Sequence, residues 1–318
     1  MSVTPSKEFV LPRRPAPADS VTVRAPAKIN LHLSVGALRP DGFHDLSTVF
    51  HAVGLYDELT MRRASTMIIR VTGEGADQVP TDGTNLAARA ACLLAERTGN
   101  DPAVEIAISK GIPVAGGCAG GSADAAAALV GCAALWGADL PAEELAELAA
   151  ELGSDVPFAL RGGTALGAGR GERLTQVLGG GSYSWVLALA DGGLSTPAVY
   201  DRLDQQRALA PVSVTGDASA VLTALRRGTP EALGRVLSND LQPAAIAMKP
   251  VLRRLLHSGD DLGALGGLVS GSGPTVAFLA RDERHAIALA AALAGHGVCR
   301  SVRRADGPVH GARIVRTP

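Results

Sequence analysis

The sequence predicts an α+β protein in two domains, and three observations carry that prediction. Apolar and polar residues alternate through most of residues 21–71, the period of half-buried strands. Helical spacing with matched start and stop residues dominates much of the rest. A chain of 318 residues also exceeds what a single core usually organises, and the joint is expected near residues 175–185.

The first twenty residues hold four prolines and no apolar run, so residues 1–19 are expected to form a disordered leader rather than a signal segment. VTVRA, INLHLSV, STVFHAV, DELTMRR and MIIRV then follow as strands separated by Pro and Gly turns. TNLAARAACLLAERTG (84–99) has helical spacing and stops at Gly99, suited to the left-handed residue that closes a helix. AVEIAISK (103–110) alternates again and runs into a glycine-rich loop, after which a helix is expected to about Gly137. PAEELAELAAELG (141–153) starts on proline, carries glutamates in its first turn and ends on glycine, in keeping with the helix dipole. GSDVPFAL opens another helix with Asp155 in a capping position.

Short strands are expected near TALGAG and SWVLALA. Helical patterns follow around 197–207, 217–227, 230–238 and 249–258. A strand, the turn SGSGPT, the strand VAFLA, a helix at 282–295 and a last strand complete the chain. No internal repeat is present. Residues 20–180 are expected as the N-terminal domain and 181–318 as the C-terminal domain.

Composition narrows the function. The chain is 47% hydrophobic but only 3% aromatic, so its interior must be built from Ala, Val and Leu. A formal net charge of -1 gives no bulk attraction for nucleic acid or an anionic membrane, and neither partner is expected. No apolar run reaches the roughly 18 residues of a membrane span. Cys92, Cys118, Cys132 and Cys299 are scattered without metal-ligand spacing, as free thiols of a reducing, cytoplasmic compartment would be, and no metal-ligating set is expected. Lysine occurs only at Lys7, Lys28, Lys110 and Lys249, so in this arginine-rich chain each raises the question of why a compact ammonium was kept.

Residues 113–122 contain a proline, four glycines and a serine, followed by an alanine run. Neither GxxxxGK followed by Ser or Thr nor GxGxxG is present, which excludes the two best-known phosphate fingerprints. What remains is strand, loop and helix, with Ser122 at the expected N-cap and Asp124 in the first turn. Free amides at a helix start, its dipole and glycines that allow close approach make an anion site. The same residues also suit a plain tight turn.

This loop resembles the nucleotide-phosphate loop of the GHMP kinases, the family of galactokinase, homoserine, mevalonate and phosphomevalonate kinases. RAPAKINLHLSVGALRPDGFHDLSTVF (24–50) resembles the family's first motif and SGSGPTVAFL (270–279) its third, in the expected order. PAKINLHL, RPDGFHDL, GSDVPF and STPAVY are most similar to the branch that phosphorylates the 2-hydroxyl of a cytidine diphosphate-linked methylerythritol, in the non-mevalonate isoprenoid route. The resemblance covers roughly residues 20–300.

It implies a two-domain GHMP kinase fold: an N-terminal ATP-binding domain with ribosomal protein S5 domain 2-like topology and a C-terminal ferredoxin-like α/β sandwich. ATP would lie on Pro113, Val114, Ala115, Gly116, Gly117, Cys118, Ala119, Gly120, Gly121, Ser122 and Ala123, bringing Mg²⁺ with it. Asp155 would accept the proton of the substrate alcohol while Lys28 stabilises the developing charge. An adjacent ammonium weakens a carboxylate as a base, yet a loose phosphoryl-transfer transition state asks more for orientation than for base strength.

Phe43 and Tyr200 would stack on the two faces of a cytosine and His44 would bond its polar edge, with Asn30 and Thr196 as further polar contacts. A chain with five Phe, three Tyr and two Trp rarely spends an aromatic in a turn such as DGFHD as mere filler. His32 and His51 lie in alternating strands and are expected to be structural. A monomer or loose homodimer is implied.

The chain departs from the family where Ala115 and Ala119 stand in place of more usual glycines, Ala123 in place of a second serine and Phe43 in place of a tyrosine. Alone, Asp155 also fits a helix cap and Lys28 a surface lysine. Two rivals remain at this point: another small-alcohol kinase of the homoserine or mevalonate type, and a non-catalytic nucleotide-binding protein.

Overall fold

The computed structural model describes residues 19–209 and 216–315, so the leader expected at 1–19 lies almost wholly outside the described residues. β1 (Ser20–Leu38) and β2 (His44–Arg63) form one long antiparallel hairpin. They are followed by β3 (Ile68–Gly73), α1 (Leu86–Thr98), β4 (Val104–Lys110), α2 (Gly120–Trp136), α3 (Ala142–Leu152), α4 (Val156–Arg161), β5 (Thr164–Gly169) and β6 (Arg173–Gln176). After the joint come β7 (Tyr183–Leu189), α5 (Thr196–Leu209), α6 (Ser219–Arg227), α7 (Pro230–Gly234), β8 (Ser238–Asn239), α8 (Gln242–Met248) and α9 (Val251–Asp261). β9 (Gly266–Val269), β10 (Thr275–Ala280), α10 (Glu283–Gly295), β11 (Ser301–Gly307) and β12 (Arg313–Ile314) complete the described chain.

Two sheets result. The larger runs β12-β1-β2-β4-β3, with β5 also on β2, β6 on β5 and β8 on β1. The smaller runs β11-β7-β10-β9 and is antiparallel throughout. Its strands, separated by α5–α9 and then by α10, give the β-α-β-β-α-β arrangement of ferredoxin-like domains. Two late segments return to the larger sheet: β8 pairs with His32 and Leu33, and β12 pairs with Val23 and Arg24.

The opening strands are longer than the sequence pattern suggests. Pro26 does not end β1: the register shifts from Pro26 opposite Tyr56 to Ala27 opposite Val53, so Gly54 and Leu55 bulge out of β2 and both strands continue past them. The helix expected at 230–238 stops at Gly234, while β6, β8, α8 and β12 have no counterpart in the expected elements. β6, β8 and β12 are too short for a period to register. The capped helices, by contrast, start and stop as their residues dictate. The Asn85 side chain accepts from the Ala87 N–H ahead of α1, and Gly99 follows it with φ 68°.

The alanine run makes α2 the buried centre of the first core, packed on β1, β2, α1 and α4. Its smallness is required: a Cβ at Gly131 would fall 1.5 Å from the Met61 Cε of β2. A second core joins the inner faces of β7, β10, α5, α8, α9 and α10 and also takes in Leu33 and Val35 of β1. The long β1 strand thereby serves both cores and carries its polar residues between them.

Candidate active site

The loop from β4 into α2 is held in shape from two sides. Ala115 and Ala119 adopt the left-handed region, with φ 53° and 59°, where a β-carbon costs about 1 kcal/mol. Gly117 has φ 78°, and a Cβ there would meet the Ser270 carbonyl oxygen at 2.3 Å. The turn between β9 and β10 buttresses the loop: the Thr275 N–H donates to the Gly116 carbonyl (3.2 Å) and the Ser270 hydroxyl to that of Gly117 (3.1 Å). The Lys28 N–H donates to the Cys118 carbonyl at 3.2 Å, tying β1 to the same loop.

The helix starts earlier than the sequence suggests. Ala119 occupies the cap position and Gly120 the first turn, so Ser122 lies inside that turn rather than capping it. Asp124 falls beyond the first turn and is buried. Its Oδ2 accepts from the Lys110 ammonium at 2.7 Å, and the same ammonium donates to Asp57 Oδ2 at 2.5 Å. Asp57 in turn accepts the N–H groups of Gly111 (2.7 Å) and Ile112 (2.9 Å), fixing the exit of β4. Burial pushes the Asp124 carboxyl up, against the pull of Lys110. Burial also opposes the Lys110 charge, but its two carboxylates prevail and raise its pKa.

Above the loop opens a cleft of about 770 Å³. Lys28, Asn30, Phe43, His44, Asp155, Thr196 and Tyr200 all line it, although they come from four separate segments. Of the loop residues, Pro113, Ala115, Gly116, Gly117, Ala119, Gly120, Gly121 and Ser122 line it too. Val114, Cys118 and Ala123 do not. Cys118 and Ala123 are fully buried, and Val114 packs toward Gly75.

At the centre, Lys28 is only 9% exposed. Its Nζ donates to Asn30 Oδ1 at 2.8 Å and lies 3.6 Å from Asp155 Oδ2 and 5.6 Å from the Phe50 ring centroid. Asn30 is locked in turn, its Nδ2 donating to Thr48 Oγ1 at 2.8 Å while the Thr48 hydroxyl donates to the His32 carbonyl at 2.8 Å. Asp155 precedes α4, yet its side chain makes no capping hydrogen bond and faces Lys28 instead.

Phe43 is 49% exposed at the tip of the β1–β2 hairpin. His44 is buried, its Nε2 3.0 Å from Asp204 Oδ1 and its ring 5.2 Å from that of Tyr200 at 35°. Burial and the charge of Asp155 push the Tyr200 hydroxyl up, so it stays a neutral phenol. Thr196 Oγ1 lies 2.8 Å from Ser272 Oγ and pins the start of α5 to the β9–β10 turn.

Asp204, Ser272, Asp57 and Lys110 were not among the expected site residues. A signal for Asp204 was present: Thr196, Tyr200 and Asp204 stand four apart, hence on one helical face. His32 and His51 lie outside the cleft wall, bonded to Ser238 Oγ (2.9 Å) and Thr164 Oγ1 (2.8 Å). Burial lowers both, His51 to about 3.

Among the described residues no three His, Cys, Asp or Glu side chains gather as a metal-holding group, and no helix is long and apolar enough to cross a membrane. All four cysteines are free thiols.

Comparison with known proteins gives a consistent picture. The family model of the GHMP kinases N terminal domain matches residues 85–163 and that of the GHMP kinases C terminal matches 221–299. A Nocardia farcinica protein named 4-diphosphocytidyl-2-C-methyl-D-erythritol kinase is 60% identical over 295 residues, covering 93% of this chain and 96% of its own. A Mycolicibacterium smegmatis protein of the same name is 56% identical over 301 residues, 94% of each chain. A crystal structure of 4-(cytidine 5'-diphospho)-2C-methyl-D-erythritol kinase superposes with a TM-score of 0.72 at 34% identity, over 90% of this chain and 98% of that one. A homoserine kinase from Cytophaga hutchinsonii superposes with a TM-score of 0.75, over 97% of this chain and 100% of that one, but at 19% identity it shares the fold alone.

Proposed function

The chain belongs to the 4-diphosphocytidyl-2-C-methyl-D-erythritol kinases, a branch of the GHMP kinases with their two-domain fold, and we propose that it transfers the γ-phosphoryl group of ATP to the substrate's 2-hydroxyl through Asp155 and Lys28. Residues 20–180 carry ATP binding and catalysis in this scheme, and 181–318 contribute to substrate binding.

The acceptor oxygen bonds to the γ-phosphorus as the bond to the bridging oxygen breaks, and ADP leaves. Asp155 takes the hydroxyl proton. The Lys28 ammonium, pointed by Asn30, offsets charge on the acceptor oxygen and the phosphoryl group. Because Asn30 is itself held by Thr48, the ammonium needs no reorganisation during transfer.

The loop suits a triphosphate. The first intrahelical bond of α2 runs from the Ala123 N–H to the Ala119 carbonyl, so the amides of Gly120, Gly121 and Ser122 precede it and are the ones a helix start offers to an anion. Mg²⁺ would arrive on the nucleotide, held chiefly by phosphate oxygens. Such an ion would neutralise phosphate charge. Phe43 and Tyr200 supply faces for the cytosine, and Asp204 fixes the His44 ring that bonds the base edge. Four free cysteines accord with a cytoplasmic enzyme.

One observation carries most of this: Lys28 and Asp155, 127 positions apart in sequence, stand 3.6 Å from each other in a cleft also lined by the glycine-rich loop and by Phe43, His44 and Tyr200. Labelled ATP offered with the cytidylyl alcohol, homoserine and mevalonate tests it, with phosphorus NMR locating the new ester. Label is expected on the 2-oxygen of the cytidylyl compound. Turnover of a nucleotide-free alcohol, with none of that compound, would overturn the proposal.

A further inference from the structure

We propose that Arg170 is the cation that receives the diphosphate of the acceptor substrate, a specificity role that rests on the function proposed above. Among the lysines and arginines of the described residues, only Lys28 and Arg170 line the cleft, with the carboxylates of Asp155, Asp201 and Asp204. A diphosphate entering this space adds further negative charge and needs a local counter-charge. Lys28 is already committed to Asn30 and Asp155 at the transfer end. Arg170 is not: among the described residues no hydrogen bond or ion pair engages its guanidinium, although the group is exposed at the cleft wall.

Its contact with Phe43, the residue proposed to face the base, suits the order of groups in the substrate. Base, ribose, diphosphate and alcohol follow one another, so with the alcohol at Asp155 and the base at the aromatic end, the diphosphate falls between them. Arg170 sits at the tip of the β5–β6 hairpin, between Gly169 (φ 71°) and Gly171 (φ 105°), where its N–H donates to Glu172 Oε2 at 2.7 Å and fixes the tip. Its guanidinium carbon lies 5.0 Å from the Phe43 ring centroid. Stacking on the ring orients the planar group and leaves its N–H edge available. That edge matches two phosphate oxygens at once, which an ammonium cannot do.

The test compares binding of cytidine diphosphate and of cytidine to wild-type enzyme and to Arg170→Ala and Arg170→Lys by calorimetry, alongside steady-state kinetics. Arg170→Ala is expected to weaken cytidine diphosphate binding and raise the acceptor KM by about 10- to 100-fold, the range of a lost charge-assisted pair. Cytidine binding and the KM for ATP should hold, and Arg170→Lys should recover part of the loss. Equal weakening of cytidine and cytidine diphosphate would mean that Arg170 merely props Phe43, and would sink the inference, as would unchanged binding of both. Failure of the wild-type enzyme to bind cytidine diphosphate or use the cytidylyl alcohol would instead remove the functional premise.

Discussion

Lys110 Nζ stands 2.7 Å from Asp124 Oδ2, and both groups are buried beneath the glycine-rich loop at Gly120. The same ammonium serves Asp57, so one cation holds together the end of β2, the exit of β4 and the start of α2. Lys110→Met would strand two buried carboxylates. A loss of about 3–5 kcal/mol is expected in urea denaturation, the usual cost of removing one partner from a buried ion pair. A change below about 1 kcal/mol would show that the network contributes little.

Asp155 separates chemistry from capping. A capping aspartate is worth about 0.5–2 kcal/mol to its helix, but this side chain makes no capping bond. Asp155→Asn should therefore leave the unfolding midpoint near wild type while lowering kcat by about 10²–10⁴-fold. A stable variant with full turnover would exclude Asp155 as the proton acceptor.

Two neighbouring loop positions should respond with opposite sign. Ala119→Gly relieves left-handed strain of about 1 kcal/mol, offset by the greater freedom of glycine in the unfolded chain, so its melting temperature should be close to or above wild type. Gly117→Ala pushes a methyl group into the Ser270 carbonyl and should lower the melting temperature and raise the KM for ATP. If Gly117→Ala were as well tolerated as Ala119→Gly, the close approach of loop and turn would be wrong.

Asp204 acts through His44. Its carboxylate lies 3.0 Å from Nε2 and fixes the orientation of the ring in the cleft wall. Asp204→Ala should raise the acceptor KM about tenfold, one charge-assisted hydrogen bond, with the KM for ATP unmoved. An equal rise in both constants would point to general distortion of α5.

His51 sets a pH dependence of stability. Its pKa falls from the ordinary histidine value of 6.5 to about 3 because the ring is wholly buried. Below pH 6.5 the unfolded chain binds a proton that the native imidazole refuses until about pH 3, so stability is full above that window and declines as pH falls through it. The slope approaches about 1.4 kcal/mol per pH unit. Urea midpoints between about pH 7 and 4, which span most of that window, should show a shallower decline in His51→Gln than in wild type, and identical slopes would remove His51 as a cause.

Much of this was legible in the chain because it depends on near neighbours. Asn85 and Gly99 bound α1, and Pro141, its glutamates and Gly153 bound α3, through bonds that span one turn of backbone. The loop ahead of α2 was equally plain from its glycines. Its cap was not, because Ala119 takes a backbone conformation that alanine seldom adopts, held there by contacts from β1 and the β9–β10 turn. Pro26 and Gly54 looked like breaks in the opening strands, yet a bulge there takes up the irregularity and pairing on both sides of it keeps each strand continuous.

Lys28 and Asp155 could be proposed from their motifs, and the local order of residues determined the helices, the alanine-rich core and the glycine-rich loop ahead of α2. Only folding decided that Asp155 would face Lys28 instead of its own helix, that Lys110 would be consumed by Asp57 and Asp124, and that Arg170 would rest over Phe43. Each of these pairings joins groups far apart along the backbone, and electrostatic and packing energies depend on distance in space, which the order of residues does not contain.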